Sequence, residues 1–237
     1  EHLGEEQRGI EMEIHKKMPF GSGLGSSAAS AAAAVMAINE LLRRPLTKRE
    51  LLPFAVLGEQ VADGSYHADN VAPSLLGGMV FIRDNQSLDI HRLPFIRGLH
   101  AAVLYSHIEI LTREAREVLS ETVSLKKSIQ QNGNLGGLII GIYNSDLDLI
   151  ARSLHDHIIE AQRAPLIPHF YEVKEAAEQA GALGASISGA GPSIFALCAN
   201  SLKAEAAGKA MQTVMSKNGI KSDLFISPIN QEGAVLR

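Results

Sequence analysis

The chain has 237 residues, 46% of them apolar, a formal net charge of -4 and a single cysteine. That length allows one large domain or two compact ones, and the mild negative charge, with Lys and Arg scattered along the chain, argues against nucleic acid or an anionic membrane as partner. One thiol, Cys198 in an apolar run, excludes an internal disulfide or cysteine metal cluster, and no apolar stretch approaches the ~20 residues of a membrane span, so a cytoplasmic setting is expected.

The sequence opens at Glu1 without Met, a basic segment or a cleavable apolar segment, as though a natural start lay upstream. Gly9 to Lys17 alternates apolar and polar positions at Ile10, Met12 and Ile14, predicting a half-buried strand that Pro19 ends. Pro19 to Ser30 then carries glycines at 21, 23 and 25 ahead of an alanine-rich helix predicted over Ser26 to Arg44. Such a turn brings backbone close to a ligand while the helix aims free N–H groups and its positive dipole end at it, which suits phosphate. Ser26 and Ser27 add hydroxyls for a phosphate oxygen or a Mg2+ ion; a plain glycine turn with a serine N-cap is the alternative. Ser26 stands where a Walker A loop needs Lys, and the glycine spacing differs from G-x-G-x-x-G, so neither of those motifs applies.

Thr47 and Glu50 form a capping-box pattern for a second helix reaching about Ala62, which Pro53 should kink or shorten. Glu59 on that helix is aimed at the phosphate-loop end, where a lone carboxylate suits Mg2+, or else it is a solvated helix residue. His67, Asp69 and Asn70 lie in a loop better suited to recognising a polar ligand than to packing. Gly77 to Arg83 and Leu88 to Leu93 predict a hairpin about Asp84-Asn85-Gln86, and Pro94 to Gly98 a boundary between domains 1–95 and 96–237. A strand over Ala101 to Tyr105 precedes helix over Thr112 to Gln131 and more helix to about Gln162. Thr112 and Arg116 share one face there, and Arg163 follows; guanidinium groups bind carboxylates bidentately, although a single surface arginine is usually just solvated. Helix Pro168 to Ala180, strands Ala185 to Ser188 and Ile194 to Ala199, helix Leu202 to Lys217 and strand Asp223 to Ser227 complete a ferredoxin-like rhythm.

Pro19 to Ser30 resembles the P-x-x-x-G-L-G-S-S-A-A signature of the GHMP kinases, and Ser188-Gly-Ala-Gly-Pro-Ser193 is similar to their glycine-rich C-terminal signature. His67 to Ser74 with Gly77 and Gly78 is similar to the homoserine kinase branch. The resemblance implies an α+β GHMP kinase two-domain fold: a ribosomal-S5-like N-terminal domain, here incomplete, and a ferredoxin-like C-terminal domain. It implies an ATP-dependent phosphotransferase of threonine biosynthesis, acting on the hydroxyl of L-homoserine. Pro19, Gly21, Ser22, Gly23, Leu24, Gly25, Ser26 and Ser27 would cradle the ATP phosphates, and Ser27 with Glu59 would hold Mg2+. Arg116 and Arg163 would bind the homoserine carboxylate, Thr112 would lie near the reacting hydroxyl, and His67, Asp69, Asn70 and Gly189 would complete the acceptor site. No side chain stands out as a general base. The family's first signature has no match in residues 1 to 18, which keeps two alternatives open: another small hydroxyl acceptor, such as mevalonate or a sugar, and a silent homologue that only binds ligand. A homodimer is compatible with the resemblance.

Overall fold

In the computed structural model, which describes residues 9–64, 66–110 and 112–236 apart from the side chains of Ala62, Asp63 and Thr112, the first regular element is α1 (Ser26–Leu41). Its N-cap, Gly25, is left-handed (φ 72°, ψ 37°), a conformation that favours glycine and lets the chain enter the helix straight from the loop. The helix stops short of the predicted Arg44 because Arg43 and Arg44 turn to positive φ, and a reciprocal amide clasp between Asn39 and the backbone of Leu46 closes the corner. Thr47 then caps α2 (Lys48–Asp63) with the expected reciprocal bonds to Glu50, and the helix continues through Pro53 to Gly64.

α1 and α2 pack with a short helix absent from the sequence prediction, α3 (Val71–Leu76). Ala28, Ala32, Ala55, Val56, Val71 and Leu75 are all buried in this first core. Six residues are too few for periodicity to reveal a helix, so burial of Val71, Ala72 and Leu75 carries it. The hairpin follows as predicted, β1 (Val80–Asp84) pairing antiparallel with β2 (Asp89–Arg92), Ile82 opposite Ile90.

One expectation fails. Gly9 to Lys17 forms no strand, and Ile10, Met12 and Ile14 are 54%, 39% and 51% exposed. Alternation specifies which face of a strand would be apolar, but only a partner ladder makes the strand, and among the described residues none runs beside it.

The second half is built on a four-stranded antiparallel sheet of order β4-β5-β3-β6, comprising β3 (His100–Ser106), β4 (Gly184–Ile187), β5 (Ile194–Cys198) and β6 (Ser222–Pro228). α8 (Phe170–Gln179) and α9 (Ser201–Lys217) cover one face, giving the ferredoxin-like arrangement expected; Leu104, Ile194, Cys198, Phe170, Met211 and Met215 fill the space between. The helix predicted over Thr112 to Gln131, with more helix to about Gln162, is divided into α4 (Thr112–Glu117), α5 (Leu125–Asn144), α6 (Leu147–Ser153) and α7 (Ile159–Arg163). Capping chemistry explains the breaks: Ser124 and Asp146 each accept an N–H of the helix they start, and Asp156 accepts from Ile158, Ile159 and Glu160. Among the described residues no helix is long and apolar enough to cross a membrane.

Candidate active site

The phosphate-loop glycines at 21, 23 and 25 all have positive φ, as a tight reversing loop requires. Ser22 is 2% exposed and its hydroxyl donates to the Pro19 carbonyl at 2.8 Å, so this side chain braces the loop from within. Gly23 is constrained by contact as well as by φ. A Cβ there would stand 2.4 Å from the Ser188 carbonyl oxygen, and one on Gly189 would meet the Gly23 carbonyl oxygen at 2.9 Å. Ser188 Oγ also donates to that Gly23 oxygen at 2.9 Å. The two glycine-rich segments, far apart in sequence, therefore lie in direct contact.

From α2, Glu59 reaches the first turn of α1, where Ser27 Oγ donates to its Oε1 at 2.6 Å. Glu59 is only 7% exposed, and among the described residues its Oε2 and the Ser26 hydroxyl are buried without a hydrogen-bond partner. A buried carboxylate oxygen left unpaired is costly. Here, beside a serine hydroxyl, it fits a hard cation that also takes phosphate oxygens, as Mg2+ does, while the positive end of α1 favours the phosphate. Among the described residues, no group of three or more His, Cys, Asp or Glu side chains is placed to hold a metal ion. A metal at this point would draw on two protein oxygens and its ligand.

Arg163, at the end of α7, links the remaining elements. Its Nε donates to the Ala115 carbonyl of α4 at 2.9 Å and its Nη1 to the Gly189 carbonyl at 3.1 Å. Burial, and then the nearby Arg116 charge, hold its pKa below the ordinary arginine value, while Asp156 and Asp69 act in the opposite direction. Arg116, Arg163 and the 67–70 loop thus belong to one neighbourhood. Asn70 lies against Gly25, where a Cβ would come within 3.2 Å of Asn70 Oδ1, and Asp69 Oδ1 accepts the Asn70 N–H at 2.9 Å. His67 is exposed and its ring Nδ1 contacts Asn85 Nδ2 at 3.0 Å. Thr112 is the first residue of α4, one turn before Arg116, and its side chain lies outside the described residues.

Sequence reasoning missed Ser188 as the tie between loops, the Ala115 carbonyl that aims Arg163, and Asn85. A carbonyl is common to all residues and carries no signal in a single sequence, and Ser188 was legible only as the start of the second glycine-rich signature, which does not say what its hydroxyl touches. Asn85 did carry one, as the middle residue of a hairpin turn, and that turn role hid the other.

Comparison with known proteins agrees with this geometry. The GHMP kinases N terminal domain matches residues 1–78 and the GHMP kinases C terminal domain residues 138–217. A mevalonate kinase from L. major shares the fold at 18% identity with a TM-score of 0.70, over 88% of this chain and 67% of its own. The chain belongs to the GHMP kinases, two-domain enzymes with mixed helices and sheets. A homoserine kinase of Chlorobium phaeobacteroides is 51% identical over 95% of this chain and 71% of its own length, and one of Chloroherpeton thalassium 46% identical over 98% and 74%. The crystal structure of homoserine kinase from Cytophaga hutchinsonii superposes with a TM-score of 0.90 at 50% identity, over 92% of this chain and 69% of that one. Within the GHMP kinases, the chain is therefore a member of the homoserine kinase family, an ATP-dependent kinase.

Proposed function

We propose that this chain transfers the γ-phosphoryl group of ATP to the side-chain hydroxyl of L-homoserine, giving O-phospho-L-homoserine on the route to threonine, as a cytoplasmic enzyme that pairs into a homodimer. The observation that carries the chemistry is the meeting of Ser27 and Glu59 at the start of α1, beside a loop whose glycines at 21, 23 and 25 have positive φ. In this reading Pro19 to Ser27 wraps the phosphates, with backbone N–H groups and the Ser26 hydroxyl as donors. Ser27 Oγ and Glu59 Oε2, unpaired among the described residues, are the oxygens that would hold Mg2+. Bound there, Mg2+ supplies neutralisation of the charge that builds on the phosphate oxygens during transfer.

The acceptor lies between the 67–70 loop, α4 and α7. Arg116 and Arg163 engage its carboxylate, a task suited to planar cationic forks, and Asp69, with His67 and Asn70, faces its polar groups. Thr112 neighbours the reacting hydroxyl, with Gly189 closing the site behind Arg163. Residues 1–95 act as the nucleotide domain and 96–237 as its ferredoxin-like cover. Most of the acceleration then comes from placing hydroxyl and phosphate in line and meeting the developing charge, so no strong general base is called for.

The test is ADP release in a coupled assay with ATP and Mg2+, comparing L-homoserine with mevalonate and galactose. Homoserine should be preferred by at least about 100-fold in kcat/KM, because mevalonate lacks the ammonium, and galactose both the ammonium and the carboxylate, that have partners here. Equal rates with all three would refute the assignment of the acceptor.

A further inference from the structure

Asn85 sits at the tip of the β1–β2 hairpin, yet its side chain faces the acceptor loop. Its Oδ1 accepts the Ala68 N–H at 2.9 Å, and its Nδ2 lies 2.6 Å from the Tyr66 carbonyl oxygen and 3.0 Å from His67 Nδ1. These contacts settle the orientation of the amide. The Ala68 N–H can only donate, so the atom facing it is the oxygen; the Tyr66 carbonyl can only accept, so the atom facing that is the NH2 group. Both amide hydrogens then have targets, one the Tyr66 carbonyl and the other His67 Nδ1. An imidazole nitrogen facing an amide N–H must carry a lone pair. The proton of neutral His67 consequently resides on Nε2, the nitrogen turned away from the hairpin.

We infer that Asn85 is a positioning residue for the acceptor site, holding the 66–68 segment and fixing His67 as an Nε2–H donor. This rests on the reading of His67 as part of the acceptor site. It adds a chemical role: His67 offers the acceptor a hydrogen-bond donor at Nε2, with Nδ1 occupied, and is not set up as a base. The hairpin supplies this order from outside the acceptor loop, and Ala68, buried and tied to Asn85, anchors the point between His67 and Asp69.

The tautomer can be read directly by long-range 1H–15N correlation spectra of the histidine-labelled full chain at neutral to mildly alkaline pH, with His67→Gln identifying the signals. His67 Nδ1 should show the shift of an unprotonated ring nitrogen and Nε2 that of an N–H. In Asn85→Ala the ring should relax to a mixture of tautomers, and the homoserine KM should rise about fivefold, the worth of one ordinary hydrogen bond, with kcat and the KM for ATP little changed. Asn85→Asp places an acceptor opposite Nδ1 and should move the proton to that nitrogen. A wild-type His67 protonated on Nδ1 would overturn the inference without any variant having to fold. So would an Asn85→Ala protein with an altered tautomer but an unaltered homoserine KM, which would leave Asn85 structural only. Neither result touches the kinase reading, which fails separately if the wild type does not turn over homoserine.

Discussion

Glu59 is the residue on which the proposed phosphate site turns. Its carboxylate is buried, bonded to Ser27 through one oxygen and left with the other unpaired among the described residues. Glu59→Gln keeps the shape and a partner for Ser27 but removes the charge. The Mg2+ concentration for half-maximal rate should then rise at least about tenfold, with little change in thermal stability, measured by titrating Mg2+ at saturating ATP. Arg116→Ala should raise the homoserine KM by the equivalent of about 2 to 4 kcal/mol while ATP binding is nearly intact, because a charge-assisted fork is lost from one substrate only. An unchanged homoserine KM would remove Arg116 from the site. Gly23→Ala combines a strained positive φ with a Cβ driven into the Ser188 carbonyl. It should weaken ATP binding and lower the melting temperature together, a pairing that a residue serving only the ligand would not show.

Capping decides where helices begin and end. The Thr47 and Glu50 box fixes the start of α2, so that Glu59 arrives opposite Ser27. Thr47→Ala should cost about 1 kcal/mol in urea denaturation. The Glu50 carboxyl is held below its ordinary value of 4.5, first by the Thr47 backbone N–H and then by the Thr47 hydroxyl. A lowered folded-state pKa contributes stability above the ordinary carboxylate range and loses it as pH falls through the lowered value. The gap between wild type and Thr47→Ala should therefore narrow below about pH 4, which denaturation at pH 7 and pH 3.5 would reveal. α7 relies on Asp156 in the same way, and with only five residues it would not persist without that cap and its neighbours.

Across the whole molecule, buried polar ties hold the elements of the second half together. Lys174 Nζ donates to both oxygens of Glu160 at 2.7 and 2.9 Å, and Ser186 Oγ donates to one of them at 2.7 Å, linking α8, α7 and β4. Removing one partner leaves an uncompensated buried charge, so Lys174→Met should destabilise by about 3 to 5 kcal/mol, measured by urea denaturation. Cys198 reports on the same core. Burial raises its thiol to about 11, from an ordinary 9.0. A raised folded-state value means that the neutral thiol's contribution is complete below about pH 9 and lost as pH climbs toward 11. At pH 8 the native thiol should resist iodoacetamide and become labelled only as the protein unfolds in urea, followed by intact mass.

The features legible in the sequence are local: the glycine loop, the Thr47 cap, the hairpin, the strand and helix rhythm after Pro168 and the motifs that mark a GHMP kinase. Each depends on residues a few positions apart, whose φ preferences, capping bonds and periodicity act within a single element. The strand predicted at 9–17 failed because a strand requires a ladder, and the breaks within the helical region 112–162 were missed because a helix end can be set by one capping side chain that periodicity does not register. Which residues meet is set by the packing of the folded chain. Glu59 faces Ser27, Ser188 clasps Gly23, Arg163 spans Ala115 and Gly189, and Asn85 orders His67, all through hydrogen bonds between segments far apart in the chain. Those contacts depend on how the packed cores orient their elements, and no pattern within one segment encodes them.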